Sequence, residues 1–209
     1  ASGKLVIYKK RDWSIQHVLN GHDGGVSTIA VQTNRKLALT GGIQDGKLKL
    51  WDLERGRLAY STLLTASNAT QIEGQRKHYE TVSCIVWRGA YNQSDFYAFC
   101  YGSHITVRDV ASGKDLLDVE LPSQVNEICF IDKGSSLFVA AACNDGSLPV
   151  LAVEDSNEDE RRAIMAIGPV EDKVAGEERF KCIQSIRGTL VATATSSGVV
   201  SVYDLQRAI

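Results

Sequence analysis

Apolar and polar residues alternate with a period of two in short runs along this chain, and no convincing long amphipathic helix is present. The clearest run is Lys47–Trp51, in which leucines alternate with lysines. Such alternation is typical of a strand that is buried on one face. The pattern therefore predicts an all-β protein.

The alternating runs are grouped in threes, and a glycine-containing turn separates most neighbouring runs. Strand Lys4–Tyr8 precedes the groups. The grouped strands are predicted at Val26–Val31, Leu37–Thr40 and Lys47–Trp51; Val82–Trp87, Phe96–Tyr101 and Ile105–Asp109; Val125–Ile131, Leu137–Ala142 and Ser147–Val153; and Phe180–Ile186, Leu190–Thr195 and Val199–Asp204.

The turn before the last strand of each group repeats along the chain. Its glycines are Gly3, Gly46, Gly146 and Gly198, and a degenerate copy at Gly102–Asp109 fills the longest interval. A repeat of roughly 40–50 residues built from short strands predicts a β-propeller rather than a sandwich.

The most complete copy of the repeat has Gly21-His22 near its start and Trp51-Asp52 near its end. This combination is typical of a WD-repeat blade. A buried histidine needs hydrogen-bond partners, and such a blade can supply them. We therefore predict one structural hydrogen-bonded set, and not a catalytic dyad, formed by His22, Thr40, Asp45 and Trp51.

The whole chain, 1–209, is predicted to be a single WD-repeat β-propeller of about four and a half blades. Residues 1–10 are the tail of one blade, and further blades lie at about 17–60, 78–118, 119–153 and 171–209. Because a ring of this repeat most often has seven blades, we expect these residues to be part of a longer, seven-bladed chain.

Three local features interrupt the repeat. Thr65–Lys77 is polar and Glu154–Arg162 is mostly acidic, so each is interpreted as a surface loop or as a partner contact that orders on binding. Pro149 lies within a strand pattern, where it removes a backbone donor. We expect that strand to be irregular at Pro149, or the position of the missing donor to face away from the neighbouring strand.

Composition and motifs give no support for catalysis. The sequence contains no phosphate-binding loop, zinc-protease or serine-hydrolase motif, and its histidines are far apart. The chain has five isolated cysteines, interpreted as buried and reduced in an intracellular protein. No apolar run reaches the length of about 18 residues needed to cross a membrane. We expect no enzyme activity, metal, cofactor, small-molecule substrate or membrane partner.

A basic segment stands out although the net charge is only -2. Lys9-Lys10-Arg11 precedes Trp13, and Arg35-Lys36 lies at the next tight turn. Cations beside an aromatic side chain could contact RNA or a partner within a larger complex: Lys9, Lys10, Arg11, Arg35 and Lys36. The alternative is a solvated connection in which Trp13 packs on a blade edge.

The repeat resembles a known family in more than its general form. Gly21–Val26, Arg35-Lys36, and the segment from Trp51 through Leu53 to Gly56-Arg57 resemble the Mak-type, Pak-interacting-protein family of WD-repeat proteins. The close match covers about forty residues. The resemblance implies a non-catalytic assembly factor of the large ribosomal subunit in the nucleus and nucleolus. Its implied partners are ribosome assembly factors, ribosomal proteins and pre-rRNA within a large complex.

Two alternatives to this function remain open. The first is a WD-repeat adaptor in another multiprotein complex, such as a ubiquitin ligase, a chromatin complex or a signalling assembly, since fold does not determine function. The second is an enzyme or small-molecule binder that uses the central channel. It would need convergent polar groups on the innermost strands, which are largely apolar.

Overall fold

A computed structural model describes residues 3–64, 81–88, 95–153, 163–167 and 179–207 of the chain. Within these residues the secondary structure is almost entirely antiparallel β, with one short 3-10 helix at Leu205–Arg207. None of the helical structure described is long and apolar enough to cross a membrane.

The strands form five separate antiparallel sheets in chain order. A two-stranded sheet, the N-terminal hairpin, comprises β1 (Lys4–Tyr8) and β2 (Ile15–Asn20). Blade 1 comprises β3 (Val26–Val31), β4 (Leu37–Gly42), β5 (Lys47–Asp52) and β6 (Arg57–Leu63). Blade 2 comprises β7 (Val82–Arg88), β8 (Phe96–Tyr101), β9 (His104–Asp109) and β10 (Asp115–Glu120).

Two further sheets complete the described strands. Blade 3 comprises β11 (Val125–Lys133), β12 (Ser136–Cys143), β13 (Leu148–Ala152) and β14 (Ala163–Ile167). Blade 4 comprises β15 (Phe180–Arg187), β16 (Leu190–Thr195) and β17 (Val200–Asp204).

Successive blades pack through their first strands. Strand β3 contacts β7, β7 contacts β11, and β11 contacts β15. Meandering sheets that meet in this order along their inner strands are the architecture of a β-propeller. The prediction of an all-β β-propeller is therefore confirmed.

The alternating runs became the inner three strands of each blade, as the sequence predicted. The outer strands β2, β6, β10 and β14 were not predicted. In β6, all but one of the seven residues are exposed, so a strand at the rim of the sheet has no buried face to impose alternation. The predicted blade limits and the seven-bladed ring stay predictions, and Thr65–Lys77 and Glu154–Arg162 lie outside the described residues.

Pro149 has the predicted effect on its strand. In blade 1, the pairing of β4 with β5 continues to Thr40–Lys49 and Gly41–Leu48. In blade 3, the pairing of β12 with β13 ends two steps earlier, at Ala140–Val150, directly before Pro149. The missing backbone donor thus coincides with the end of the β12–β13 ladder.

The contact between blades 1 and 2 is filled by aromatic rings from β8. Tyr97, Phe99 and Tyr101 lie on one face of that strand, with successive ring centroids 6.1 and 6.2 Å apart. They pack in one cluster with Leu39 and Leu48 of blade 1. This aromatic face contributes three large rings to the apolar contact between the two blades.

The cysteines only partly match their predicted environment. Cys84, Cys100, Cys129 and Cys143 are buried, but Cys182 is exposed, because it alternates with the buried Ile183 on β15. Burial raises the pKa of the Cys84 thiol to about 11 and that of Cys129 to about 12. These thiols are protonated and unreactive at neutral pH.

Replacement of Phe99 by alanine tests the aromatic contact between blades. Phe99 is 1% exposed, so its loss should leave a cavity and lower the free energy of unfolding by about 3–5 kcal/mol. Urea denaturation measures this loss. Tyr60→Ala removes an aromatic ring that is 51% exposed on β6, and it should cost far less. Equal losses for both variants would contradict the assignment.

Candidate functional site

Blade 1 brings together the four side chains of the predicted hydrogen-bonded set. Thr40 lies on the central strand β4, two residues after Ala38, which pairs with Trp51 on β5. Both side chains therefore point to the same face of the sheet. Asp45 lies in the β4–β5 turn, and His22 lies in the connection between β2 and β3.

The distances form one continuous chain, which we call the relay. His22 Nδ1 lies 3.0 Å from Asp45 Oδ2, and His22 Nε2 lies 2.7 Å from Thr40 Oγ1. Trp51 Nε1 donates to the same Thr40 oxygen at 2.8 Å. One assignment satisfies every donor: Trp51 N–H to Thr40, Thr40 O–H to His22 Nε2, and His22 Nδ1–H to Asp45. It requires a neutral imidazole.

Asp45 also holds the backbone of the two segments that meet at the relay. The backbone N–H of Asp23 donates to Oδ2 at 3.2 Å, and that of Lys47 donates to Oδ1 at 3.1 Å. A single carboxylate thus links the β2–β3 connection to the β4–β5 turn. Replacement by a residue without acceptors would leave these donors unsatisfied.

Two glycines make room for this arrangement, and the sequence analysis did not identify them. A Cβ on Gly42 would lie 1.8 Å from Asp45 Oδ1 and 2.6 Å from His22 Nδ1. A Cβ on Gly41 would lie 2.5 Å from the Cβ of Val82 in blade 2. The available signal was the glycine pair directly after Thr40, but its meaning depends on contacts that are distant in sequence.

The environment favours the neutral form of His22. Burial lowers the pKa of His22 below its ordinary 6.5, and this effect outweighs the nearby Asp45 carboxylate, which raises it. The positive charge of Lys49 lowers the pKa further. This lowering of the His22 pKa agrees with the hydrogen-bond assignment, in which Nε2 is unprotonated and accepts a hydrogen bond from the Thr40 hydroxyl.

The relay has the same order of groups as a hydrolytic triad, but its hydroxyl is not accessible to a substrate. Carboxylate, imidazole and hydroxyl follow one another as in a nucleophilic enzyme. However, Thr40 is 0% exposed, and its oxygen already accepts the Trp51 N–H. No substrate carbonyl could approach that hydroxyl, so the relay is suited to holding loops and not to acyl transfer.

Strand register identifies the equivalent positions in the other blades. Thr40 and Trp51 correspond to Phe99 and Arg108 in blade 2, where the guanidinium lies 5.9 Å from the ring centroid. A cation–π contact thus takes the place of the indole–hydroxyl hydrogen bond. Arg108 is also held by Asp115 on β10, at 3.0 Å.

Blades 3 and 4 depart further from the relay. Blade 3 has the apolar pair Ala141 and Leu151 at these positions. Blade 4 keeps the hydroxyl as Thr193 and has Tyr203 in place of the indole. The Thr193 oxygen is buried and has no partner among the described residues. The complete relay therefore belongs to blade 1 within the described residues.

The predicted basic residues lie at one end of the strands. The carbonyl of Gly3 accepts from the backbone N–H of His22 at 3.1 Å, so β1 starts beside the relay and runs away from it. Strand β3 also starts near His22 and runs in that direction. The β1–β2 turn, with Lys9–Arg11, and the β3–β4 turn, with Arg35-Lys36, therefore lie at the end opposite His22.

Trp13 is 75% exposed, so its predicted packing on a blade edge is wrong. Its backbone has a φ of 56°, in the left-handed region. The described residues contain no cluster of three or more His, Cys, Asp or Glu able to hold a metal ion.

Replacement of Thr40 by valine tests the relay with little change of volume. Two buried partners, Trp51 Nε1 and His22 Nε2, would lose their hydrogen bonds. We expect the free energy of unfolding to fall by about 1–3 kcal/mol. Urea denaturation measures it, with Thr33→Val in the exposed β3–β4 turn as control. A variant as stable as the parent would contradict the relay's structural role.

The lowered pKa of His22 predicts a pH dependence of stability. An unfolded chain binds a proton at His22 near pH 6.5, whereas the folded chain binds it only at lower pH. The free energy of unfolding should therefore fall as the pH drops below 6.5. Denaturation at several pH values should show this decline in the parent and a smaller decline in His22→Gln. Identical pH profiles would contradict the assignment.

Comparison with known proteins identifies a repeat within the chain. The profile of the WD40 family (WD domain, G-beta repeat) matches residues 13–52, which hold Trp13 and the whole relay. The chain is also similar to Shk1 kinase-binding protein 15 of Schizosaccharomyces pombe, with 44% identity over 57 residues. That match covers 27% of this chain and only 16% of the relative. WD40 repeats generally act as protein-interaction scaffolds, and neither comparison confirms the resemblance to ribosome assembly factors.

Proposed function

We propose that this chain is a non-catalytic scaffold that binds other proteins through the exposed turns of its propeller. The observation that carries the proposal is the buried relay inside a WD40 repeat. Its polar groups are all used to hold the β2–β3 connection and the β4–β5 turn against β4. The turns are thereby presented on rigid sheets, which suits binding to several partners at once.

The proposed setting is assembly of the large ribosomal subunit in the nucleus and nucleolus. The resemblance to the Mak-type, Pak-interacting family supports it, and so do the exposed basic turns at the end opposite His22. The partners would be ribosome assembly factors, ribosomal proteins and pre-rRNA within a large complex. With a net charge of -2, RNA contact would be local.

Sucrose-gradient fractionation of the tagged protein from its own cells tests this setting. We expect co-migration with precursors of the large subunit, loss of that co-migration after ribonuclease treatment, and co-purification of pre-rRNA in sequencing. A tagged WD-repeat protein of unrelated function is the control. Migration in a small complex free of ribosomal RNA would refute the ribosomal setting and leave the scaffold proposal to be tested on its protein partners.

A second candidate function is binding of a protein kinase as part of a signalling assembly. It is favoured by the relative, which is named as a kinase-binding protein, and by the similar reference to a kinase in the name of the resembled family. Affinity purification followed by a kinase-activity assay tests it. Stoichiometric kinase in the gradient fraction without ribosomal RNA would favour this second function over the first.

A further inference from the structure

We propose that the β1–β2 turn with Trp13 and the β3–β4 turn with Arg35, which lie at the same end of the strands, together contact single-stranded RNA. We call these two turns the tryptophan face. The inference deepens the proposed function, because it gives the pre-rRNA partner a place on the chain, and it rests on that function for the identity of the RNA.

Trp13 occupies a backbone position that glycine takes in an equivalent turn. In the β9–β10 turn, Gly113 has a φ of 69° and its N–H donates to the Asp109 carbonyl at 3.0 Å. In the β1–β2 turn, Trp13 has a φ of 56° and its N–H donates to the Lys9 carbonyl at 2.9 Å. A bulky residue is strained in this conformation, whereas glycine is not.

The turn holds Trp13 in place without burying it. Asp12 Oδ1 accepts from the backbone N–H of Ser14 at 3.1 Å and from its hydroxyl at 2.7 Å. The indole ring remains 75% exposed. The strain is thus not compensated by packing of the ring, and strained residues that are held in this way are concentrated at binding sites.

A second strained residue lies at the same end of the sheets. Arg35 and Trp13 are the two non-glycine residues with positive φ in the described part of the chain. The corresponding hairpins of blades 3 and 4 have glycine at the positive-φ position, Gly134 and Gly188. Each turn of the tryptophan face therefore has an aromatic or cationic residue at a positive-φ position, where glycine would be free of backbone strain.

Cations outnumber carboxylates on these two turns, although Asp12 lies in the first turn and Asp95 accepts a hydrogen bond from Gln32 at the start of the second. Over the described residues, no ion pair joins Lys9, Lys10, Arg35 or Lys36 to a carboxylate. Arg11 is 92% exposed and lies 3.6 Å from Asp12, an exposed pair that is strongly screened. Five cations thus lie on two turns at the same end of the strands as one exposed indole ring.

Single-stranded RNA fits this combination better than an acidic protein segment does. A base can stack on the flat indole while neighbouring phosphates contact the lysines and arginines. Stacking on an aromatic side chain tolerates any base, so the face should bind without strong sequence preference. An acidic peptide would use the cations, but its carboxylate side chains have no flat ring to stack on the indole.

The variant Trp13→Gly separates binding from folding. Anisotropy of a fluorescent single-stranded oligouridine, titrated with the purified protein at about 50 mM salt, measures affinity. We expect Trp13→Gly to weaken binding about tenfold, as loss of one stacked base would. Its melting temperature should be unchanged or higher, because glycine suits a positive φ. Tyr60→Ala, which removes another exposed aromatic ring, should leave both values unchanged.

The salt dependence of RNA affinity tests the contribution of the lysines. The affinity of Lys9→Ala and Lys10→Ala variants should be less sensitive to salt, with the slope of log affinity against log salt reduced by about 0.7 for each lysine. Trp13→Gly should leave that slope unchanged. A charge-only patch would instead show no effect of Trp13 at all.

Three outcomes would overturn the inference. The first is that the parent does not bind oligouridine, and the second is that the parent and Trp13→Gly bind it equally. The third is that polyglutamate competes as strongly as unlabelled oligouridine does, which would assign the face to an acidic protein. The ribosomal setting fails separately. If the parent binds oligouridine through Trp13 but does not migrate with ribosomal precursors, the face stands and the setting is wrong.

Discussion

The hydrogen bond between His22 Nε2 and Thr40 Oγ1, 2.7 Å long, is the contact on which blade 1 depends. It joins the connection before the blade to the central strand, and Asp45 extends the same chain of bonds to the next turn. Thr40 accepts a hydrogen bond from Trp51 and therefore donates its own to His22, which requires a neutral imidazole. The donor and the acceptor of every hydrogen bond in the relay are then fixed. Burial lowers the pKa of His22 and so keeps the imidazole in that form.

The other blades show that this solution is one of several. In blade 2 a guanidinium over an aromatic ring replaces the indole–hydroxyl bond, and the aromatic face of β8 fills the contact with blade 1. In blade 3 the same two positions are simply apolar. What the blades share is a filled space between neighbouring sheets, which either polar or apolar groups can fill. Blade 4 even keeps a buried hydroxyl, Thr193, that has no partner among the described residues. A complete relay is therefore a sufficient sign of the repeat but not a necessary one.

The sequence predicted those parts of the structure in which burial is one-sided. The inner strands alternate because each has a buried face, whereas β6, exposed over nearly its whole length, carries no such pattern. The four relay residues could be named because a buried histidine needs particular partners. Gly41 and Gly42 could not be given a role, since the atoms that approach them belong to Val82, Asp45 and His22. The exposure of Trp13 was also beyond reach, because an aromatic residue next to a sheet is more often packed against it.

Blade 1 and the hairpin before it differ between the two ends of their strands: one end holds the structural relay, and the other holds the exposed, strained turns. At the His22 end, glycine and hydrogen bonding remove strain and leave no buried polar group unpaired. At the opposite end, Trp13 and Arg35 retain strain that glycine would remove, as Gly113 and Gly134 do in other turns. Strain without compensating contacts lowers stability, and strained residues are concentrated at binding and catalytic sites. The contrast between the two ends is therefore itself a reason to look for a ligand at the tryptophan face and not at the relay.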